Sequence, residues 1–177
     1  MNGYDCMQRD LPDPSAPEDR AQAGSGTPKT AVRLRRFTEA DAPLLRQKQY
    51  PDAGLEALEE MIRAWNAGTF RGRRFEAYAI TADDAVVGSV SLYEHSKSVA
   101  SVGIEVFADE RRKGYGAEGM RRMLALAKER GWRILSDQVR TDNAASIALH
   151  EALGFETDGT VYRNAKDRPV LLYLLCL

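Results

Sequence analysis

Glu105-Val106-Phe107-Ala108-Asp109-Glu110-Arg111-Arg112-Lys113-Gly114-Tyr115-Gly116-Ala117 is the stretch on which the fold turns. An apolar segment runs into a loop that is first acidic, then basic. The loop ends in a Gly-x-Gly step that opens the stripe Met120, Met123, Leu124 and Ala127. That stripe has helical spacing and Gly131 stops it, which predicts a helix from Gly114 to Arg130 after a strand. The first four N–H groups of a helix have no acceptor within it, and the dipole adds partial positive charge there. A pyrophosphate suits such a terminus, and each charge-assisted bond contributes roughly 1.5–3 kcal/mol. Glycine at 114 and 116 removes Cβ atoms that would hold an anion away, while Arg111, Arg112 and Lys113 add positive potential. The alternative is a solvated charge run, with Asp109 and Glu110 balancing the three cations. Under that reading two glycines weaken the first turn by roughly 1 kcal/mol each for nothing.

Upstream, Phe75 to Thr81, Ala85 to Tyr93 and Val99 to Phe107 read as three strands joined by short polar turns, an antiparallel meander. Ala31 to Phe37 alternates apolar and basic residues as a half-buried strand does. Thr38 with Asp41 resembles a capping arrangement for a helix over Glu39 to Gln49. A second helix, Leu55 to Asn66, shows Leu55, Leu58, Ile62 and Trp65 at helical spacing before Gly68. Downstream come a strand at Arg133 to Arg140, a helix from Ala144 to Leu153, and two strands near Glu156 to Arg163 and Arg168 to Leu177. The order β-α-α-β-β-β-α-β-α-β-β predicts an α/β (α+β) fold: a mixed, mostly antiparallel sheet of six to seven strands flanked by about four helices.

Residues 1–29 are rich in Pro, Gly and Ser and read as a flexible N-terminal tail, leaving 30–177 as one domain. The net charge of −1 among 177 residues gives no broad surface for nucleic acid or membrane. No apolar run approaches the roughly 20 residues that span a bilayer, and the N-terminus lacks a secretory layout. Cys6 and Cys176, near opposite ends, form no disulfide framework, and the cytoplasm is the expected compartment. The last strand, Val170 to Leu177, is apolar on both faces, as a buried strand or half of a homodimer contact would be.

Arg111-Arg112-Lys113-Gly114-Tyr115-Gly116 resembles the Arg/Gln-x-x-Gly-x-Gly/Ala motif of the GNAT superfamily of N-acetyltransferases. Asn143 to Phe155, ending in Leu153-Gly154-Phe155, is similar to the family's second conserved block, in the His-bearing variant of its phosphinothricin-type branch. The resemblance covers everything but the tail. It implies acetyl-CoA as acetyl-donor cosubstrate, with no metal, and an amine acceptor that is a small molecule or peptide. The cosubstrate would lie in a V-shaped gap between the strand at Val99 to Phe107 and the one at Arg133 to Arg140. Val106, Phe107 and Ala108 would meet the pantetheine arm, and Arg111 to Ala117 the pyrophosphate. Asn143 and Ser146 would contact the cosubstrate from the far side, although Asn143 also reads as a helix cap.

Acetyl transfer to an amine requires deprotonation of the amine, stabilisation of the carbonyl oxygen and protonation of the leaving thiolate. The resemblance places His150 where the family has a proton-donating tyrosine, and an imidazole with pKa near 6.5 can serve. A packed or surface histidine is the competing reading. Glu105 is the carboxylate nearest the expected reaction centre; Ala100 and Ser101 stand where some relatives of the family carry a glutamate, and Gln138 on the following strand replaces another. His95, in a polar turn, reads as surface. Two alternatives stay open. A non-catalytic acetyl-CoA sensor would bind without turnover. A nicotinamide-dinucleotide oxidoreductase would use Gly114-x-Gly116-x-x-Gly119 with Asp137 as ribose ligand, although the meander before the motif is the wrong context.

Overall fold

The structure, a computed structural model, describes residues 31–177; the predicted tail lies outside the described residues. The chain runs β1 (Val32–Arg36), α1 (Ala42–Lys48), α2 (Leu55–Asn66), β2 (Thr69–Phe70), β3 (Arg73–Ala82), β4 (Ala85–Glu94) and β5 (Val99–Val106). It continues with α3 (Tyr115–Glu129), β6 (Ile134–Arg140), α4 (Ala144–Ala152), β7 (Val161–Arg163) and β8 (Pro169–Cys176). The strands form one eight-stranded sheet in the order β1-β3-β4-β5-β6-β8-β7, with β2 beside β3. Only β5 and β6 pair in parallel. The mixed, mostly antiparallel sheet with four helices is the predicted fold.

Alternation along β3 sends its side chains to two cores. Tyr78 and Ile80 join Met120, Met123 and Ala127 of α3 on one face. Ala79 joins Phe37, Leu45, Leu58 and Ile62 under α1 and α2 on the other. α3 lies close enough to β3 that a Cβ on Gly119 would come within 2.6 Å of Ile80 Cδ1. On β4, a Cβ at Gly88 would stand 2.2 Å from the Glu105 carbonyl oxygen, so only glycine lets the end of β5 cross there.

One feature of the sheet positions the site. β5 and β6 are paired only at Val99↔Ile134, Ala100↔Leu135 and Ser101↔Ser136. Beyond Ser101 they part, while β6 stays with β8 from Ile134↔Cys176 to Arg140↔Val170. From Val102 to Val106, β5 therefore keeps its ladder to β4 but has no strand on its other side.

Three expectations change. The helix expected over Glu39 to Gln49 is split: a single 3-10 turn, Glu39–Asp41, precedes α1. Pro43 has no N–H for a continuous helical ladder through that point, which suits the first turn of α1 instead. The strand expected over Glu156 to Arg163 shrinks to an isolated bridge, Glu156↔Leu174, followed by β7. Asp158 accepts from Thr160 N–H at 2.8 Å and Gly159 takes φ +77°, which makes a turn of the middle. The eighth strand, β2, is two residues pinned beside Arg73 and Arg74, too short for any periodicity.

Candidate active site

The loop from β5 to α3 is shaped by its backbone. Ala108–Glu110 make one 3-10 turn, closed by Glu110 N–H to Phe107 O at 2.9 Å. Arg112 at φ +61° and Gly114 at φ +83° are both left-handed, a conformation that glycine adopts without strain. Gly114 caps α3 with no side chain, and its carbonyl accepts from Glu118 N–H at 3.1 Å. The amides of Tyr115, Gly116 and Ala117 thus have no acceptor inside the helix. Arg111, Arg112 and Lys113 are exposed around them. Lys113 pairs with Glu110 at 2.8 Å, whereas Asp109 turns to Lys48 at 2.6 Å. Arg111 Nε donates to Val106 O at 3.1 Å.

Gly116 also has a packing reason: a Cβ there would meet Val106 Cγ2 at 3.3 Å and Ile104 Cδ1 at 3.8 Å, so the glycine lets α3 sit close on β5. Phe107 also stands apart from its neighbours. Its ring is buried in the core under α1 and α2, and its N–H donates to Val87 O at 3.0 Å. Val106, one residue earlier in the pleat, turns its polar groups the other way, towards the parted side of β5.

α4 lies across the gap from α3. Asn143 caps it, accepting Ser146 N–H at 3.2 Å through its side chain. One turn on, His150 is wholly buried, with ring contacts to Phe155 at 4.9 Å and Tyr173 at 5.5 Å. Its Nδ1 donates to Ser146 O at 2.7 Å, and the Ser146 hydroxyl is 3.4 Å from the same nitrogen. Its Nε2 stands 3.0 Å from Asp137 Oδ2, close enough for an ion pair but poorly aligned for a hydrogen bond. A carbonyl only accepts, so Nδ1 carries the proton that it gives to Ser146 O. Burial opposes the charge, yet Asp137 and the Ser146 carbonyl outweigh it and raise the pKa above the usual histidine value. His95 is exposed, edge-on to Tyr93.

On the opposite sheet face, between β3–β5 and the helices α1 and α2, lies a cavity of about 470 Å³. Glu105 lines it and accepts from Gln49 Nε2 at 2.6 Å. The cavity also touches Ile104, and so reaches the part of β5 that has lost β6. Burial, with Glu105 adding to it, holds the Tyr50 hydroxyl above its ordinary pKa. Among the described residues no group of three or more His, Cys, Asp or Glu stands ready to hold a metal.

The sequence model of the GNAT acetyltransferase domain matches residues 31–156, the whole span from β1 through α4. The chain belongs to the GNAT acetyltransferase family. A ribosomal protein bS18 alanine N-acetyltransferase of Salmonella typhimurium is 33% identical over 103 residues, 56% of this chain and 69% of that protein. An L-methionine sulfoximine/L-methionine sulfone acetyltransferase of Pseudomonas paraeruginosa is 31% identical over 55% of this chain and 59% of its own length. Among solved structures, RimL, a ribosomal alpha-N-protein acetyltransferase in complex with coenzyme A, superposes with a TM-score of 0.73. It is 18% identical, over 85% of this chain and 97% of its own. RimJ of Mycobacterium smegmatis, in complex with a CoA disulfide, gives 0.72 at 18% identity over 84% and 83%. At these identities the two structures speak for the fold.

GNAT membership makes this chain an acetyl-CoA-dependent N-acetyltransferase that acetylates an amine. The dinucleotide alternative falls with it, and Asp137, the would-be ribose ligand, is engaged with His150. Two residues escaped the sequence: Gln49, at the frayed end of α1, and Asp137 as partner of the family-motif histidine. Nothing local marks Gln49. Asp137 is read from the sequence only by its distance from the Gly-x-Gly step, as a ribose ligand, and nothing local links it to His150.

Proposed function

We propose that residues 30–177 form a single domain that moves the acetyl group of acetyl-CoA to a primary amine by direct attack in a ternary complex. The observation that carries the reading is the row of free amides at Tyr115, Gly116 and Ala117, beside the parted strands β5 and β6. Those amides, with Arg111, Arg112 and Lys113 around them and Gly114 shaping the turn, suit a diphosphate. The edge of β5 from Val106 through Phe107 to Ala108 would guide the pantetheine arm, Val106 pairing as a strand edge pairs with a peptide. Asn143 and Ser146 would meet it from the first turn of α4.

In this reading Glu105 accepts a proton from the acceptor ammonium, and the freed lone pair attacks the thioester carbon. A backbone N–H in Ile104 to Val106 stabilises the carbonyl oxygen. As the C–N bond forms, the C–S bond breaks and the sulfur takes the electron pair and a proton. His150 holds that proton. Because the ring is buried, the proton leaves through the Ser146 hydroxyl beside Nδ1. The amine sheds two protons: one passes by Glu105 to water, and the other recharges His150. General acid catalysis of this kind contributes roughly 10²–10⁴ in rate.

The reading puts the enzyme in the cytoplasm, without nucleic-acid or membrane partners. A homodimer would use the edge strand β7, where Val161 is 57% and Tyr162 45% exposed. The test is thiol release from acetyl-CoA across a panel of amines. Release that rises with an amine supports transfer. Binding of acetyl-CoA with release never above background makes the protein a sensor.

A further inference from the structure

The sheet face under α1 and α2 lacks large side chains along one line. Ala77 on β3, Ser89 and Ser91 on β4 and Gly103 on β5 form a low floor. Tyr50, Met61, Trp65 and Phe75 rise around it, and about 470 Å³ between them stays open, within the range of small-ligand sites. The apolar wall continues outward from Phe75 to the Phe70 ring, 6.2 Å away and half exposed.

The charge here has one sign: among the described residues Glu105 is the one charged residue lining the cavity, and no Arg, Lys or His lines it. Around it, Lys48 pairs with Asp109, Arg36 lies over the Tyr78 ring and against Glu76, and Arg71 lies over the Phe70 ring at the outer end of the wall. Gln49 points its Nε2 at Glu105, which fixes the amide orientation because a carboxylate only accepts. Its Oε1 is left buried without a partner. A carboxylate and an orphaned amide oxygen together ask for a donor with several N–H groups. An ammonium has three.

We propose that the acceptor is a protonated primary amine on an apolar or aromatic body, with no free carboxylate beside the amine, as in an alkylamine or a peptide N-terminus. The ammonium binds between Gln49 Oε1 and Glu105, and the body lies against Trp65, Tyr50 and Phe75. A free amino acid would bring its own carboxylate towards Glu105, and no cation lines the cavity to receive it. Like charges at such short range in a partly dry site cost about two decades of affinity. This specificity rests on the transferase reading above and narrows its acceptor.

The experiment measures kcat/KM at saturating acetyl-CoA for phenylalaninamide, phenethylamine, a short peptide with N-terminal phenylalanine, and phenylalanine itself. The first three should exceed phenylalanine by about 100-fold or more, and their order among themselves tells alkylamine from peptide. Gln49→Leu should raise KM for phenylalaninamide about 10-fold, since the ammonium loses one acceptor. Gln49→Arg should narrow the amide-to-acid ratio by supplying the missing cation. Phenylalanine equal to or better than its amide overturns the proposal while the transferase reading stands. If no amine accelerates thiol release, the transferase reading fails and this inference goes with it.

Discussion

His150 has no exposed surface; its Nδ1 donates to the Ser146 carbonyl, and Asp137 Oδ2 stands 3.0 Å from its Nε2. Its pKa is raised on folding, so its contribution to stability is full below the unfolded value near 6.5 and is lost as pH rises through the higher folded value. Asp137→Asn should therefore cost more stability at about pH 6 than at about pH 9, and should lower kcat more than it changes KM for acetyl-CoA. Urea unfolding at both pH values, with steady-state kinetics, checks this; an equal loss at both denies the charged pair. Ser146→Ala is the companion test, because an unchanged kcat removes the hydroxyl from the proton path. Gly116 makes a different residue-scale prediction. Valine there must push into Val106 and Ile104, so Gly116→Val should cost roughly 1–3 kcal/mol by overpacking and also weaken acetyl-CoA binding. A thermal melt and calorimetric titration separate the two effects.

α3 holds the candidate anion site at its N-terminus and is tied down just past its other end. Arg130, the residue after its last turn, reaches Glu76 of β3 and, at 3.1 Å, the Tyr78 hydroxyl. Glu76 is buried, and it also accepts from Arg74 at 2.7 Å and from Tyr78 at 2.7 Å. Burial alone would raise its pKa, but Tyr78, Arg74 and Arg130 together pull it below the usual value of 4.5. A depressed carboxylate stabilises the fold above that value, and the contribution is lost as pH falls through the lower folded one. Glu76→Gln should cost on the order of 2–3 kcal/mol near neutrality, below the loss for a fully buried pair because the arginines keep some solvent, and progressively less as pH falls below 4.5. Denaturant titration across that range is the check. At the other edge Asp41 ties β1 to the helix start, taking both Arg35 bonds at 2.7 Å and Thr38 N–H at 2.8 Å.

At the scale of the molecule, one sheet does two jobs: β5 stays paired with β4 while β6 follows β8 away from it. The domain proposed to begin at residue 30 should then stand alone. Deleting residues 1–29 should leave the melting temperature within about 2 °C and kcat/KM within about two-fold; a large fall in either would show that the segment belongs to the domain. The local features were legible in the chain: the bounds of α2 from its stripe, the start of α3 from the Gly-x-Gly step, the Asn143 cap from its place before α4. Each depends on residues a few positions apart, so their order alone carries them. The gap between β5 and β6 was expected through the family resemblance, whereas the packing at Gly116 and the cavity under α1 and α2 were not legible. Gln49 meets Glu105 across 56 positions and Arg130 meets Glu76 across 54. Those pairings exist only once helices and strands are packed. What sequence determined by itself was therefore the family, the order of the main elements and the glycine-bearing turn before α3. Tertiary structure alone decided what surrounds His150 and what sign of charge lines the cavity, because burial and long-range partners set both.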